Sequence, residues 1–239
     1  TMANPFTGYF NCDTEAYVVE EGTTLTFYYD FISATRTGTV YGIDQKREDY
    51  NYFPAWAGSY SVKNDRITKV VFDASFKNYA PTSTAYWFAF CISLETVEGI
   101  ENLNTENVTD MNNMFSNCES LKSLDVTGFN TENVTNMRSM FSTCRTLTSL
   151  DLSNFNTAKV TNMGDMFYNC IALTYLDIHS FNTENVTYMS DMFRDCNALT
   201  KLNLSSFNTE KVTDMSEMFY GCNSLTELDV TSFNTARVT

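Results

Sequence analysis

The chain has 239 residues, 43% of them hydrophobic, and carries 29 acidic against 15 basic side chains, a formal charge of −14. That length suits one sizeable core, or a repeat array with a small extra domain. The acidity excludes a nucleic-acid backbone and an anionic membrane surface as partners, because both call for a basic stripe.

The opening "TMANPFTGYF" has no charged n-region followed by an apolar core, so no signal peptide is read there. The stretches "AYVVEEG", "TLTFYYD", "GTVYGI" and "ITKVVFD" are rich in β-branched and aromatic residues, are separated by Gly, Thr, Asn and Asp, and read as strands. Between the last two lies "EDYNYFPAWAGSY", aromatic and irregular. Residues 1–75 are therefore expected to form an N-terminal β-rich cap that seals a repeat array. A sharper alternative gives exposed Tyr50, Tyr52, Phe53 and Trp56 a carbohydrate- or protein-binding role. The longest apolar run, "YWFAFCI" at 86–92, is too short to cross a bilayer, so no membrane insertion is expected of this chain.

From residue 76 onward the chain repeats itself every 26 residues: "FNTENVTNMRSMFSTC", "FNTAKVTNMGDMFYNC", "FNTENVTYMSDMFRDC", "FNTEKVTDMSEMFYGC". Leu124, Leu150, Leu176, Leu202 and Leu228 share one column, and Val126, Leu152, Ile178, Leu204 and Val230 the column two residues on. Apolar, polar, apolar is a strand period. Met163, Met166, Phe167 and Cys170 then stand at i, i+3, i+4 and i+7, which predicts one face of a two-turn helix. Thr161 precedes it as N-cap, and Thr109, Thr135, Thr187 and Thr213 do the same in the other units. The fold class expected is α/β: a solenoid of 26-residue strand–turn–helix units with an N-terminal β cap. Phe76–Cys91, with Trp87-Phe88 in the Met-Phe place and Pro81 in the Val place, is a degenerate first unit, and the unit ending at Thr239 is truncated. Asn130, Asn156, Asn182, Asn208 and Asn234 are expected to form a buried ladder that satisfies turn backbone groups.

Cys118, Cys144, Cys170, Cys196 and Cys222 recur at 26 residues, with Cys91 one residue out of step; one cysteine per unit reads as a buried thiol rather than a disulfide framework. No metal site or other cofactor is expected, since cysteines so spread and a single His179 form no ligand cluster. The Asn-Val-Thr sequons at Asn107, Asn133 and Asn185 fall in the repeat consensus and read as coincidental.

"LDLSNFNTAKVTNMGDMFYNC" and its sister units resemble the repeats of the BspA-like leucine-rich-repeat surface proteins of bacteria, and "TLTFYYD", "ITKVVFDASF" and "PTSTAYWF" resemble the segment that precedes them, over about residues 16–239. The resemblance implies a leucine-rich-repeat-like solenoid at the cell surface or secreted, often an adhesin for host matrix or plasma proteins such as fibronectin or fibrinogen, with no catalytic activity. It carries no fixed site motif.

Binding chemistry is therefore sought at the positions that vary. The outward rows of the strands read Ser123-Asp125-Thr127, Ser149-Asp151-Ser153, Tyr175-Asp177-His179, Lys201-Asn203-Ser205 and Glu227-Asp229-Thr231. The candidate partner-binding face is Asp125, Asp151, Tyr175, Asp177, His179, Lys201, Glu227 and Asp229. In-register strands bring the aspartates into one column, where like charges repel. Hydroxyls of neighbouring rows, a cation or a cationic partner could each relieve that repulsion. Adhesion through this face is the leading function. The alternative is a structural spacer or stalk that self-associates through the open C-terminal repeat edge. An enzyme is disfavoured, because one histidine and cysteines in a buried column leave no nucleophile–base constellation to assemble.

Overall fold

The computed structural model describes residues 13–239. The reading of the first ten residues, and Cys12, lie outside them. The chain opens with β1 (Glu15–Glu21), β2 (Thr24–Asp30), β3 (Thr39–Gly42) and β4 (Lys69–Phe72), matching the four strands expected. β5 (Thr96–Glu98) completes a five-stranded sheet of order β3-β1-β2-β4-β5. β1 is antiparallel to β2 and β3, whereas β2, β4 and β5 run parallel. Gly22, at φ 60°, takes the left-handed place in the two-residue β1–β2 turn, where a Cβ would be penalised. The sheet buries Val18, Leu25, Phe27, Val70 and Phe72 in the same core as the repeats. Phe53 and Trp56 are buried as well, at 0% and 1% exposure, so neither can serve the exposed aromatic role considered for them. Trp56 donates its indole N–H to the Trp87 carbonyl at 2.8 Å, which fastens the irregular segment to the first repeat.

The repeats stack as a solenoid with two parallel ladders. One is the predicted strand column, regular enough to form β6 (Ser149–Asp151) and β7 (Tyr175–Asp177), paired in register with Leu150 opposite Leu176. The second links Ser83, Asp110, Asn136, Asn162, Tyr188 and Asp214 through successive parallel bridges.

The predicted helix is not formed. Among the described residues there is no α-helix, only three short 3-10 turns outside the Met-Phe-Cys segments. Each Met-Phe-Cys segment is a chain of tight turns holding two residues at positive φ, four positions apart: Asn113 and Asn117, Ser139 and Thr143, Asp165 and Asn169, Asp191 and Asp195, Glu217 and Gly221. Left-handed residues stop a right-handed helix, and Asn, Asp and Gly tolerate them best. The amides then alternate. Met111, Asn113, Phe115 and Asn117 donate to Asn136, Arg138, Met140 and Ser142 of the next unit, while Met114, Ser116 and Cys118 donate three residues back. A two-turn helix would spend its donors on itself and is too short to hold alone. The turn chain spends half of them joining one unit to the next. The buried set is still the one expected, because Met163, Met166, Phe167 and Cys170 are all 0% exposed.

The threonines proposed as N-caps do other work. Thr135, Thr161, Thr187 and Thr213 donate their hydroxyls to the carbonyl of the equivalent threonine one unit earlier, at 3.1–3.2 Å; Thr109 donates to the Thr82 carbonyl. The buried asparagine ladder is likewise corrected. Asn130, Asn156, Asn182, Asn208 and Asn234 are exposed. Each accepts the amide two residues on, closing a local turn. The buried polar column is the threonine that follows. Thr157 Oγ1 donates to the Asn182 carbonyl and accepts from the Asn182 amide, both at 2.8 Å, so one hydroxyl satisfies two backbone groups of the next unit. Thr105, Thr131, Thr183 and Thr209 accept in the same way.

The first unit follows the others despite its different residues. Tyr86 and Phe90 occupy the left-handed positions, Pro81 is buried, and Phe88 stacks on Phe115 with centroids 5.3 Å apart. That stack continues through Phe141, Phe167, Phe193 and Phe219, with spacings of 5.6–6.0 Å and near-parallel rings.

Candidate binding face

The thiols are part of the scaffold. Cys118, Cys144, Cys170 and Cys196 are fully buried and Cys222 partly so; all are free. Each donates its S–H to the phenylalanine carbonyl of the preceding unit, at 3.0–3.3 Å. Burial pushes the Cys91 and Cys144 thiols up to about 12 and Cys118 and Cys170 well above their ordinary value. Such thiols do not act as nucleophiles.

The strand rows hold the candidate residues outward. Asp125, Asp151, Tyr175, His179, Lys201, Glu227 and Asp229 are exposed, and Asp177 is half-buried. β6 and β7 set Asp151 opposite Asp177 and Ser149 opposite Tyr175. The structure thus brings Asp151, Tyr175 and Asp177 together on adjacent strands, with His179 in the turn just beyond β7, while Asp125, Lys201, Glu227 and Asp229 lie on flanking rows outside named strands.

The aspartate column is relieved inside each row rather than by hydroxyls of the next. Asp125 Oδ1 accepts from the amide and hydroxyl of Thr127, Asp151 from the Ser153 amide, and Asp229 from the amide and hydroxyl of Thr231. Asp177 meets both the His179 amide and His179 Nδ1, the latter at 2.7 Å. These bonds to the ionised form, the side-chain ones foremost, hold Asp125, Asp151, Asp177 and Asp229 below the ordinary aspartate value. At Asp151 the neighbouring Asp177 and Asp125 charges push the other way and are outweighed.

The Asp177–His179 contact has the look of a general-base pair, yet it fills the slot where Thr127, Ser153 and Thr231 bond to their own aspartates. It is a turn of the repeat with a histidine in the hydroxyl's place. Among the described residues no group of three or more His, Cys, Asp or Glu is placed to hold a metal ion, and no helix is long and apolar enough to cross a membrane.

A second set of side chains escaped the sequence reading. On the turn ladder Arg194 lies over the Tyr168 and Tyr220 rings, at 5.7 and 5.1 Å to their centroids, and forms ion pairs with Asp191 and Glu217. Helical spacing hid the column, because 168, 194 and 220 come together only through the 26-residue stacking.

Comparison with known proteins places the repeats. The family model described as "Mycoplasma protein of unknown function, DUF285" matches residues 82–176 and 149–239. The chain belongs to this family. No curated protein matches this member of the family. Among solved structures it is similar to a leucine rich cell surface protein from Faecalibacterium prausnitzii, at 17% identity and a TM-score of 0.40, covering 84% of this chain and 54% of that one. It is also similar to a leucine-rich repeat protein from Bacteroides ovatus, at 14% identity and a TM-score of 0.27, covering 88% and 80%. The chain therefore spans about half the length of the Faecalibacterium protein it matches.

Proposed function

We propose that this chain is a noncatalytic binding module of a bacterial cell-surface or secreted protein, with residues 1–75 as cap and residues 76–239 as the repeat array that recognises a partner protein. The observation that carries the reading is the division of labour within each unit. Met, Phe, Val, Thr and Cys of every unit are committed to the core and to links between units. The chemically varied side chains Tyr175, Asp177 and His179 stand outward on and just beyond β7, and Lys201 stands outward on the row that follows. Tyrosine is enriched at protein interfaces because it offers a large contact area at a low cost in side-chain entropy, and charged side chains around it add electrostatic complementarity at the rim. Host matrix or plasma proteins are the partner class that the repeat resemblance implies.

The test is surface-plasmon binding of the purified chain to immobilised fibronectin, fibrinogen and other matrix and plasma proteins, beside a variant with Tyr175, Asp177, His179 and Lys201 changed to Ala. Saturable binding that drops at least tenfold in the variant is the expected result. Binding that survives the change moves the contact off these rows. Absence of binding to every protein leaves the spacer reading, for which size in solution should rise with concentration.

A further inference from the structure

The turn ladder holds a notch that the strand-face reading does not use. At the position two residues beyond each bridge the units carry Asn112, Arg138, Gly164, Ser190 and Ser216, so the middle unit alone of these five has no side chain there. The gap opens into a groove of about 400 Å³ lined by Arg138, Asn162, Gly164, Tyr188, Ser190 and Asp214, within the size range of small-ligand sites. Asn162, Tyr188 and Asp214 are consecutive rungs of one parallel ladder, which fixes their spacing through the backbone. Three such rungs span about 10 Å.

The groove's polar groups are only partly committed. Asn162 accepts the Gly164 amide through Oδ1 at 3.0 Å, which leaves its Nδ2 as a donor. Asp214 is engaged through Oδ1 by the amide and hydroxyl of Ser216, which leaves Oδ2 as an acceptor. The hydroxyls of Tyr188 and Ser190 can donate or accept, and Tyr188 as a residue is 49% exposed.

The charges decide what fits. Arg138 is spent on Asp165, at 3.2 Å, and Asp214 is anionic, so an anion is repelled. A metal ion lacks ligands, because no cluster of three acidic, His or Cys groups exists among the described residues. A purely apolar ligand would strand the donors and acceptors of four polar side chains. A neutral molecule with many hydroxyls and one apolar face uses all of these groups at once, the donors, the acceptors and the tyrosine ring. We infer that the Gly164 notch is a saccharide-binding subsite, with the ring of Tyr188 as platform and Asn162, Ser190 and Asp214 as hydrogen-bonding partners for the sugar hydroxyls.

The test is saturation-transfer NMR and calorimetric titration of the described chain with glucose, galactose, mannose, N-acetylglucosamine and short oligomers of each. At least one sugar should bind saturably, and Tyr188→Ala should weaken it tenfold or more. Gly164→Gln should do the same while leaving the thermal midpoint in place. A Cβ at Gly164 would meet Asn162 Oδ1 and Ser190 Oγ at an ordinary 3.4 Å, and the neighbouring units carry larger residues at this position. Tyr175→Ala, on the strand rows, should leave sugar binding unchanged, which separates this site from the protein-binding face. Binding by none of the sugars, or equal binding by the Gly164→Gln variant, would overturn the assignment.

Discussion

The threonine after each repeated asparagine is the residue on which the stacking depends most directly. In Thr157→Val the shape is kept but the Asn182 amide and carbonyl lose their shared partner. A loss of about 1–3 kcal/mol is expected from chemical denaturation, against near-neutral Asn156→Asp at the exposed turn next to it. The thiols give a second test. Among the repeat cysteines, site-resolved labelling with a thiol reagent under native conditions should modify Cys222 first, since it alone of them is only partly buried; Cys118, Cys144, Cys170 and Cys196 should react only on unfolding. Labelling of these four in the native protein would contradict their burial. The aspartates should separate by NMR titration. Asp125, Asp151, Asp177 and Asp229 are held low by hydrogen bonds, so their stabilising effect is in place above the unfolded value of about 3.9 and is lost as pH falls through their lower folded values. Asp165 is raised by burial, and its sign is opposite: the cost of its charge is relieved as pH falls. Asp165 should therefore protonate before the other four on acidification.

At the scale of the element, the Met-Phe-Cys segment shows how a correct burial pattern can come from a wrong backbone. Spacing of i, i+3, i+4 and i+7 places Met163, Met166, Phe167 and Cys170 on one side of a helix, but a chain of turns with left-handed residues at i+2 and i+6 buries the same four. The signal that separates the two lay in the sequence, in the Asn, Asp and Gly that fill most of those positions. It is a conformational signal rather than a hydrophobic one, which is why periodicity alone missed it. The strand column was legible because alternation there has one reading, and Leu150 and Leu176 pair as expected. Among the described left-handed residues Thr143 is the one with a β-branched side chain, at φ 60° where its counterparts in the flanking units are Asn117 and Asn169. Thr143→Asn should raise stability by about 1 kcal/mol, read from the denaturation midpoint. Far-UV circular dichroism should lack a helical double minimum; its presence would restore the helix.

Across the whole molecule, the repeat accounts for the scaffold, and the recognition proposed above falls to what does not repeat. The exposed rows could be found in the sequence because strand alternation assigns each side chain a face. The Arg194 column and the Gly164 notch could not, because each is assembled from residues 26 apart whose meeting depends on the turn ladder. For the binding role proposed, the acidic charge, net −11 over residues 91–239, predicts a partner with a basic surface and a capture that weakens as salt rises. The most direct measurement is hydrogen–deuterium exchange of the chain with and without the partner protein captured in the binding panel. New protection confined to peptides spanning Tyr175–His179 and Lys201 is the predicted result. Protection that falls on the aromatic segment around Tyr50–Tyr60, or on the Met-Phe-Cys turns, with the strand rows unchanged, would contradict it.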